Sequence, residues 1–337
     1  MTQKRVYKRY FTKEKKALIN PKNVKAYEKY LRSNIIKNKD VKDTTYKTYT
    51  NYVNQFFVYL TENWDNVYIL DEEFLDEAVD IIEGFIEFCQ ETLENNKKVI
   101  NTKISAISSY FAWATKKGTI DAHPFANRLD RMKGANDEVL ISHYFLDDEQ
   151  IDEIYKVLAE EVAKEKQGRF DIQDLLLWSI MMDSANRNGA ISKLSWSSLD
   201  EEHAVFEGIR EKRGKMVEVP IGEKTFELLM LWKEIRAEMD GLECDGIFVA
   251  KRNGKYQQMA QNTIYMRVKK IGTIIGLDDL HPHCIRKTAI NRVVNKTGDL
   301  TLAQELANHS SVETTQKHYV KPKSKKEIRD RLKDIIN

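Results

Sequence analysis

The most informative stretch of this sequence reads His281-Pro282-His283-Cys284-Ile285-Arg286-Lys287-Thr288. His283 and Arg286 stand three residues apart at the predicted start of a helix, so both side chains project from one helix face. His309 follows a helix predicted to end at Leu306, and Tyr319 lies ten residues further on. Each residue alone has an ordinary explanation, such as a surface ion pair or core packing. Their order and spacing together are informative.

Two cations upstream extend this pattern. Arg187 follows an apolar helix predicted over residues 171–184, where a guanidinium is unusual unless an anion meets it. Lys212 lies near the turn of a predicted β-hairpin, whose strands over 205–209 and 217–220 alternate apolar and polar residues. The order of these groups along the chain is therefore Arg, Lys, His-x-x-Arg, His and Tyr.

That order resembles the tyrosine recombinase (phage integrase) family. Its pattern is an arginine on a helix–turn, a lysine on a β-hairpin, His-x-x-Arg, Gly-His and a tyrosine shortly after that histidine. The matching stretches are SANRNGAISKLSW at 184–196, KRGK at 212–215 continuing to VPI at 219–221, HPHCIRKT at 281–288, LANHSSVETT at 306–315, and Tyr319.

The resemblance implies a mainly α fold with a small antiparallel β-sheet in the second domain (α+β). In that architecture an all-helical, SAM-like core-binding domain precedes a mixed catalytic domain. Helical spacing of apolar residues begins near Lys22, and no strand pattern occurs before residue 140. We also predict a single helix over residues 71–94 and a short strand over residues 246–250. We predict a basic, poorly structured arm at 1–20, a helical domain at 21–130, a linker at 131–142, a catalytic-type domain at 143–323 and an amphipathic C-terminal helix at 324–337.

The composition is typical of a folded protein and argues against a membrane-spanning or secreted one. The 337 residues are 42% hydrophobic and 31% charged, as expected of folded domains. No apolar run approaches the ~20 residues that span a bilayer, and the N-terminus lacks the apolar core of a secretory signal. The three cysteines are scattered and form neither a disulfide framework nor a Cys-x-x-Cys site. We expect a cytoplasmic protein with no membrane partner.

The charge is distributed unevenly. The net charge is only +2, yet residues 1–50 carry 15 Lys and Arg against 4 Asp and Glu, and residues 51–100 carry 2 against 12. A basic block interleaved with tyrosines suits a phosphate backbone, although a solvated helix face explains it equally well. As residues that contact DNA we predict Lys22, Lys25, Lys29, Lys47, Arg213, Lys215 and Lys287.

The resemblance also implies a mechanism. Arg187 and Arg286 clamp the non-bridging oxygens of the scissile phosphate, and His309 donates a further hydrogen bond. Tyr319 is the nucleophile and forms a 3′-phosphotyrosyl intermediate. Because a phenol ordinarily ionises near pH ~10, a base assists, and His283 fits that role. Lys212 is the acid that protonates the leaving 5′ oxygen. No metal or other cofactor is expected.

Two positions depart from the family pattern, and a third makes the position of the nucleophilic tyrosine ambiguous. Ala190 stands where an acidic residue that orients the active site is usual, and Asn308 replaces the usual glycine. His318 occupies a shorter His-to-Tyr spacing, which leaves the register of the tyrosine open.

Two functions remain open. One is a site-specific recombinase that integrates or excises a phage or mobile element. The alternative is a transcriptional regulator, or repressor, that binds DNA on this scaffold without rearranging it. The expected partners are double-stranded DNA, further copies of the chain in a dimer or tetramer on DNA, and a small accessory protein.

Overall fold

A computed structural model describes residues 10–37, 43–134, 145–164, 168–211, 215–309, 311–321, 325 and 329. The chain divides into two compact units, residues 1–139 and 140–337. Helices dominate both units, and the strands described form two small antiparallel sheets in the second unit. The predicted α+β fold class is confirmed.

The first unit is helical throughout its described part. Its helices are α1 (Lys13–Ala17), α2 (Pro21–Lys37), α3 (Asp43–Asn63), α4 (Glu72–Asp76), α5 (Ala78–Glu91) and α6 (Lys97–Lys116). They enclose a core rich in aromatic rings, in which Phe56 contacts both Phe74 and Phe85 edge-on. Such ring pairs add to the stability gained from buried area.

The prediction of a poorly structured arm is wrong for residues 10–20. Thr12 caps α1, Lys15 forms an ion pair with Glu62 at 2.7 Å, and Ile19 is buried. The side chain and backbone of Asn20 both bond to Asn66. High charge suggested disorder, but these contacts hold the segment against the end of α3. Residues 1–9 lie outside the described part of the chain.

The single helix predicted over residues 71–94 is also wrong, because α4 ends and α5 begins at Glu77. The break creates a second helix N-terminus, with Asp80 in the first turn of α5. Acidic residues stabilise helix N-termini.

The second unit combines helices with both sheets. Its elements are α7 (Asp148–Val162), α8 (Ile172–Ser184), α9 (Asn188–Ile191), β1 (Leu199–Asp200), β2 (Val205–Arg210), β3 (Met216–Pro220), α10 (Glu223–Ala237), β4 (Val249–Arg252), β5 (Lys255–Gln258), α11 (Gln261–Gly272), α12 (Pro282–Thr297), α13 (Leu300–Leu306) and α14 (Val312–Tyr319).

Helix α8 is the centre of this unit. It is apolar on nearly all sides and packs against α7, α10, α11 and α12. A capping box of Asp171 and Asp174 starts it, and Ala185, in the left-handed region with φ 51°, ends it. The turn at Ala185 redirects the chain, so Arg187 leaves the apolar interior immediately after the helix.

The predicted hairpin is confirmed as β2 and β3, which pair Phe206 with Val219. β1 adds a third antiparallel strand at the β2 edge. The strand predicted over 246–250 overlaps β4 only in part, and its partner β5 was not predicted because its sequence, Lys-Tyr-Gln-Gln, lacks apolar alternation. The predicted tail helix at 324–337 falls outside the described residues, apart from positions 325 and 329.

Candidate active site

Packing of four helices brings distant polar residues together. α12 contacts α8, α13 and α14, and α13 contacts α14. Arg286 and His283 lie on α12, His309 lies between α13 and α14, and Tyr319 is the last residue of α14. Arg187 follows the turn that ends α8. Of the six predicted catalytic residues, five therefore meet in one region of the second unit, and Lys212 lies outside the described residues.

Arg286 is the centre of the cluster and is 1% exposed. Its Nη1 donates to the carbonyl of Ala185 at 2.5 Å, and its Nη2 donates to the carbonyl of Ala307 at 2.5 Å. These residues cap the C-termini of α8 and α13, where helices leave carbonyls unsatisfied and carry partial negative charge. Two helix ends therefore hold one guanidinium. Burial lowers the pKa of Arg286, and the nearby charge of Arg187 lowers it further, whereas Tyr319 raises it.

His309 is buried beside this guanidinium. Its Nε2 accepts from Nη2 of Arg286 at 2.9 Å, so its proton resides on Nδ1, which lies 2.8 Å from the hydroxyl of Thr315. Burial, followed by the charges of Arg286 and Arg187, lowers the pKa of His309 to about 3. The imidazole is therefore neutral at pH 7. In this arrangement Nε2 accepts a hydrogen bond, whereas the sequence predicted a donor to phosphate.

Tyr319 is inserted among these groups. Its ring lies 4.4 Å from that of His309, 5.4 Å from that of His283 and 5.5 Å from the guanidinium carbon of Arg286. Tyr319 is 7% exposed and belongs to a small buried apolar cluster; its other members include Ala185, Ala289, Ala303 and Ala307. The tyrosine that enters the cluster is thus residue 319, at the longer spacing, and it belongs to the same chain as the arginines.

His283 faces the ring of Tyr319 edge-on while keeping solvent access. Desolvation by the surrounding protein, followed by the positive charges of Lys287 and Arg286, lowers the pKa of His283 to about 4. A neutral imidazole at pH 7 is able to accept a proton from a neighbouring hydroxyl.

Arg187 and the hairpin are joined by an ion pair. Nη1 of Arg187 donates to Oε2 of Glu211 at 2.5 Å; the arginine side chain is 43% exposed and the glutamate side chain only 4%. Lys212 and Arg213 follow directly but lie outside the described residues. Lys215 donates from Nζ to the carbonyl of Asn308 at 2.9 Å, which ties the hairpin to the turn before His309.

Both departures from the family pattern have a structural explanation. Asn308 has φ 53°, and asparagine tolerates the left-handed region better than other residues with a side chain. The turn before His309 therefore forms without glycine. Ala190 is completely buried in the hydrophobic core of the second unit, so this position presents no polar group to the cluster.

Sequence reasoning missed Glu211 and Thr315. Glu211 precedes the predicted hairpin lysine, and an acidic residue beside a cation is normally assigned to the solvated surface. Thr315 lies six residues after His309 and is completely buried. Its hydroxyl was the only available signal, because nothing in the sequence indicated a partner for the imidazole.

The first unit carries a basic surface. Lys22, Lys25, Lys29 and Arg32 recur along one face of α2 and line a cavity of about 550 Å³. Its aromatic walls are Tyr68, Tyr110 and Trp113. Three of these cations were predicted and Arg32 was not.

The other predicted DNA-contacting residues lie elsewhere. Lys47 is exposed on α3 and does not line this cavity. In the second unit, the ammonium of Lys287 lies 5.9 Å from the ring centre of Phe145.

The described ranges contain no candidate metal site and no candidate membrane-spanning helix. There, no three or more His, Cys, Asp or Glu side chains are grouped so that they could hold a metal ion. Within the same ranges, no helix has the length and apolar character needed to cross a bilayer.

Comparison with known proteins gives consistent matches. A model of the phage integrase family matches residues 144–326. The chain is 27% identical over 222 residues to the tyrosine recombinase XerC of Xanthomonas axonopodis pv. citri, covering 65% of this chain and 66% of that protein. The match thus spans just under two thirds of the relative's length.

Two solved structures have similar folds. One is the XerH site-specific recombinase bound to difH substrate in a pre-cleavage complex, with a TM-score of 0.63, 17% identity, and 85% of this chain and 78% of that chain covered. The other is a lambda integrase dimer bound to a COC′ core site, with a TM-score of 0.62, 15% identity, and 89% and 96% covered.

Proposed function

Because this chain belongs to the phage integrase family of tyrosine recombinases, we propose that it binds a specific site in double-stranded DNA and breaks and rejoins strands through Tyr319. The observation that carries this proposal is the position of the Tyr319 ring, buried against Arg286, His309 and His283 of its own chain. A tyrosine kept only for packing would not need a buried guanidinium and two histidines beside it.

We propose that strand cleavage is a transesterification at the scissile phosphate. The phenolic oxygen of Tyr319 attacks the scissile phosphorus, and its proton passes to neutral His283. The bond from phosphorus to the 5′ oxygen breaks, and Lys212 protonates that oxygen. A 3′-phosphotyrosyl bond and a free 5′-hydroxyl result. Because the covalent bond conserves the energy of the phosphodiester, attack by a 5′-hydroxyl of a partner strand rejoins the DNA and releases the tyrosine without a nucleotide cofactor.

Arg187 and Arg286 supply the charge stabilisation. The five-coordinate phosphorus gains negative charge, and cations held in advance at that place are usually the largest catalytic contribution. Arg286 is fixed by the ends of α8 and α13, while Arg187 keeps 43% of its side chain exposed. We assign Arg187 to direct contact with phosphate. His309 supports Arg286 in the DNA-free protein by accepting its hydrogen bond at Nε2. To donate to phosphate, Nε2 must first take up a proton, which the negative charge of a bound phosphate favours.

The basic face of α2 is proposed to hold the DNA backbone, with Lys22, Lys25 and Lys29 as phosphate contacts. We extend this role to Arg32, which lines the same cavity. Lys47, Arg213, Lys215 and Lys287 are proposed as further contacts. In domain terms, residues 21–130 are assigned to binding around the core site and residues 143–323 to catalysis.

Assembly and biological role are proposed from the relatives. The lambda integrase structure is described as a dimer on a core site and the XerH structure as a substrate complex. We propose that copies of this chain likewise assemble on DNA, and that the reaction integrates or excises a phage or other mobile element.

The test is covalent capture. Genomic fragments of the source organism that the protein retains are incubated with wild type, with Tyr319→Phe and with the matched control Tyr256→Phe, and are then treated with detergent. We expect detergent-resistant DNA with wild type and the control at one or a few sites, and none with Tyr319→Phe. Mass spectrometry is expected to place the nucleotide on Tyr319, and the released strand is expected to accept phosphate from a kinase at its 5′-hydroxyl.

The same experiment separates the alternative function. Retention of the same fragments by all three proteins, with no covalent DNA in any of them, contradicts the recombinase proposal and favours a DNA-binding regulator.

A further inference from the structure

The two active-site arginines require a counter-charge in the absence of DNA. Arg286 is almost completely buried, and the positive charge of Arg187 lowers its pKa. Like charges held close together in a desolvated region repel strongly. Glu211 is the carboxylate within reach of this pair in the described structure: it bonds to Arg187 directly, and its charge also acts on Arg286.

Glu211 is more rigidly held than a surface partner would be. Its side chain is 4% exposed. Its backbone N–H donates to the carbonyl of Lys215 at 2.7 Å. Oε2 carries the bond to Arg187, whereas Oε1 is buried with no partner among the described residues. A carboxylate buried with a free oxygen is costly, so its retention here indicates a role for its charge.

The position that was expected to carry an orienting carboxylate cannot do so. Ala190 is completely buried, and its methyl group packs in the hydrophobic core together with Ile191 and Leu194. The acidic group near Arg187 comes instead from the hairpin, 24 residues along the chain from the arginine.

We propose that Glu211 is the positioning residue for Arg187: its carboxylate holds one edge of the guanidinium against the hairpin and leaves the remaining donors directed at the scissile phosphate. This inference rests on the proposed recombinase function and assigns to Glu211 the orienting role that Ala190 lacks. The same bond joins Arg187 to the residue that directly follows β2.

Glu211→Gln is expected to change DNA affinity and cleavage rate in opposite directions. Removing a carboxylate near a phosphate site reduces repulsion, so Glu211→Gln should bind DNA at least as tightly as wild type. If the carboxylate aligns Arg187, the same variant should cleave more slowly, because a misplaced catalytic group costs on the order of 100-fold in rate. Glu211→Asp keeps the charge on a shorter side chain and is expected to recover part of the rate.

The experiment is a double-mutant cycle of Glu211→Gln and Arg187→Gln on the full chain. The probe is the duplex recovered by covalent capture, and single-turnover adduct formation and equilibrium binding are both measured. If Glu211 acts through Arg187, Glu211→Gln slows cleavage about 100-fold in wild type and has little further effect once Arg187 is replaced. Glu201→Gln, which removes an exposed ion pair with Lys233, is the matched control and should cleave at the wild-type rate.

Equal fold losses from Glu211→Gln in both backgrounds would overturn the proposal. If wild type forms no covalent adduct, the proposed recombinase function itself is contradicted. The positioning role of Glu211 is then tested by DNA affinity alone. On a mixed-sequence duplex, positioning predicts that Arg187→Gln weakens binding less when Glu211 is already Gln. An unchanged effect of Arg187→Gln on affinity in the two backgrounds rejects the positioning role, whatever the catalytic result.

Discussion

Arg286 and His309 share a 2.9 Å hydrogen bond in which the guanidinium donates to Nε2 of the imidazole. Because a guanidinium has only donors, this bond assigns the imidazole proton to Nδ1, which lies 2.8 Å from the hydroxyl of Thr315. The orientation of His309 in the site is therefore set by a charged residue on one side and a buried hydroxyl on the other.

Thr315→Val is expected to disturb the site although the two side chains have similar shapes. The Nδ1–H of His309 would lose its acceptor, and an unsatisfied buried donor costs about 1–3 kcal/mol. We expect a lower free energy of unfolding and slower formation of the covalent DNA adduct. Thr315→Ser, which keeps the hydroxyl, is the control. Equal stability and equal rates for the two variants would show that the hydroxyl does not orient the ring.

The free energy of unfolding should fall at acidic pH, because His309 takes up a proton when the protein unfolds. Its pKa in the folded protein is lowered to about 3, below the ~6.5 of an unfolded chain, so the unfolded state binds more protons between these values. The contribution of neutral His309 to the free energy of unfolding is therefore present above pH ~6.5. It is lost progressively as the pH falls towards 3. From pH 7 to pH 5 the loss is about 2 kcal/mol.

Urea unfolding of wild type and His309→Asn at both pH values measures this difference. The variant should lose less stability than wild type over the same interval. A loss of the same size in both proteins would assign the acid sensitivity to other groups.

Part of this site was predictable because its residues interrupt apolar elements. Arg187 after α8, Arg286 within α12 and Tyr319 near the chain's end stand out against buried neighbours, and packing of α12 against α8, α13 and α14 brings them together. Glu211 was not predictable, since its partner depends on how the hairpin packs beside the turn after α8. The break at Glu77 was missed because no proline or glycine marks it in the sequence.

Ala190→Glu is expected to destabilise the protein and not to improve the active site. The methyl group is completely buried, so a carboxylate there would be desolvated and its pKa raised. Ala190→Gln has a similar volume without the charge and is the matched control. The stability gap between the two variants should widen as pH rises from 5 to 8, because Glu must ionise in the unfolded state and is disfavoured from doing so in the core.

Thermal or urea unfolding across that pH range measures the gap. A constant gap, or an Ala190→Glu variant that cleaves DNA faster than wild type, would show that residue 190 reaches the polar cluster.

Asn308 should be replaceable by glycine but not by a β-branched residue. Its φ of 53° lies in the left-handed region, where a residue with an ordinary side chain is strained by roughly 1–2 kcal/mol. Asn308→Gly should retain cleavage, because Lys215 bonds to the backbone carbonyl and not to the side chain. Asn308→Val should lower stability by at least that amount and slow adduct formation through His309. Comparable rates for the two variants would mean that this turn does not position His309.

The basic face of α2 should contribute phosphate contacts rather than sequence recognition. Each phosphate contact contributes about 0.9 to the slope of log K against log salt concentration. The variant Lys25→Gln/Lys29→Gln should therefore flatten that slope by about 2 and weaken binding to specific and mixed-sequence duplexes to a similar degree.

The variant Lys98→Gln/Lys116→Gln removes the same charge from exposed positions on α6 that do not line the α2 cavity. It should leave the slope nearly unchanged, because phosphate contacts depend on position and not on net charge. Filter binding or fluorescence anisotropy over a series of salt concentrations measures both slopes. If the two double variants flatten the slope equally, the first unit attracts DNA only through its overall charge, and the α2 face is not a binding surface.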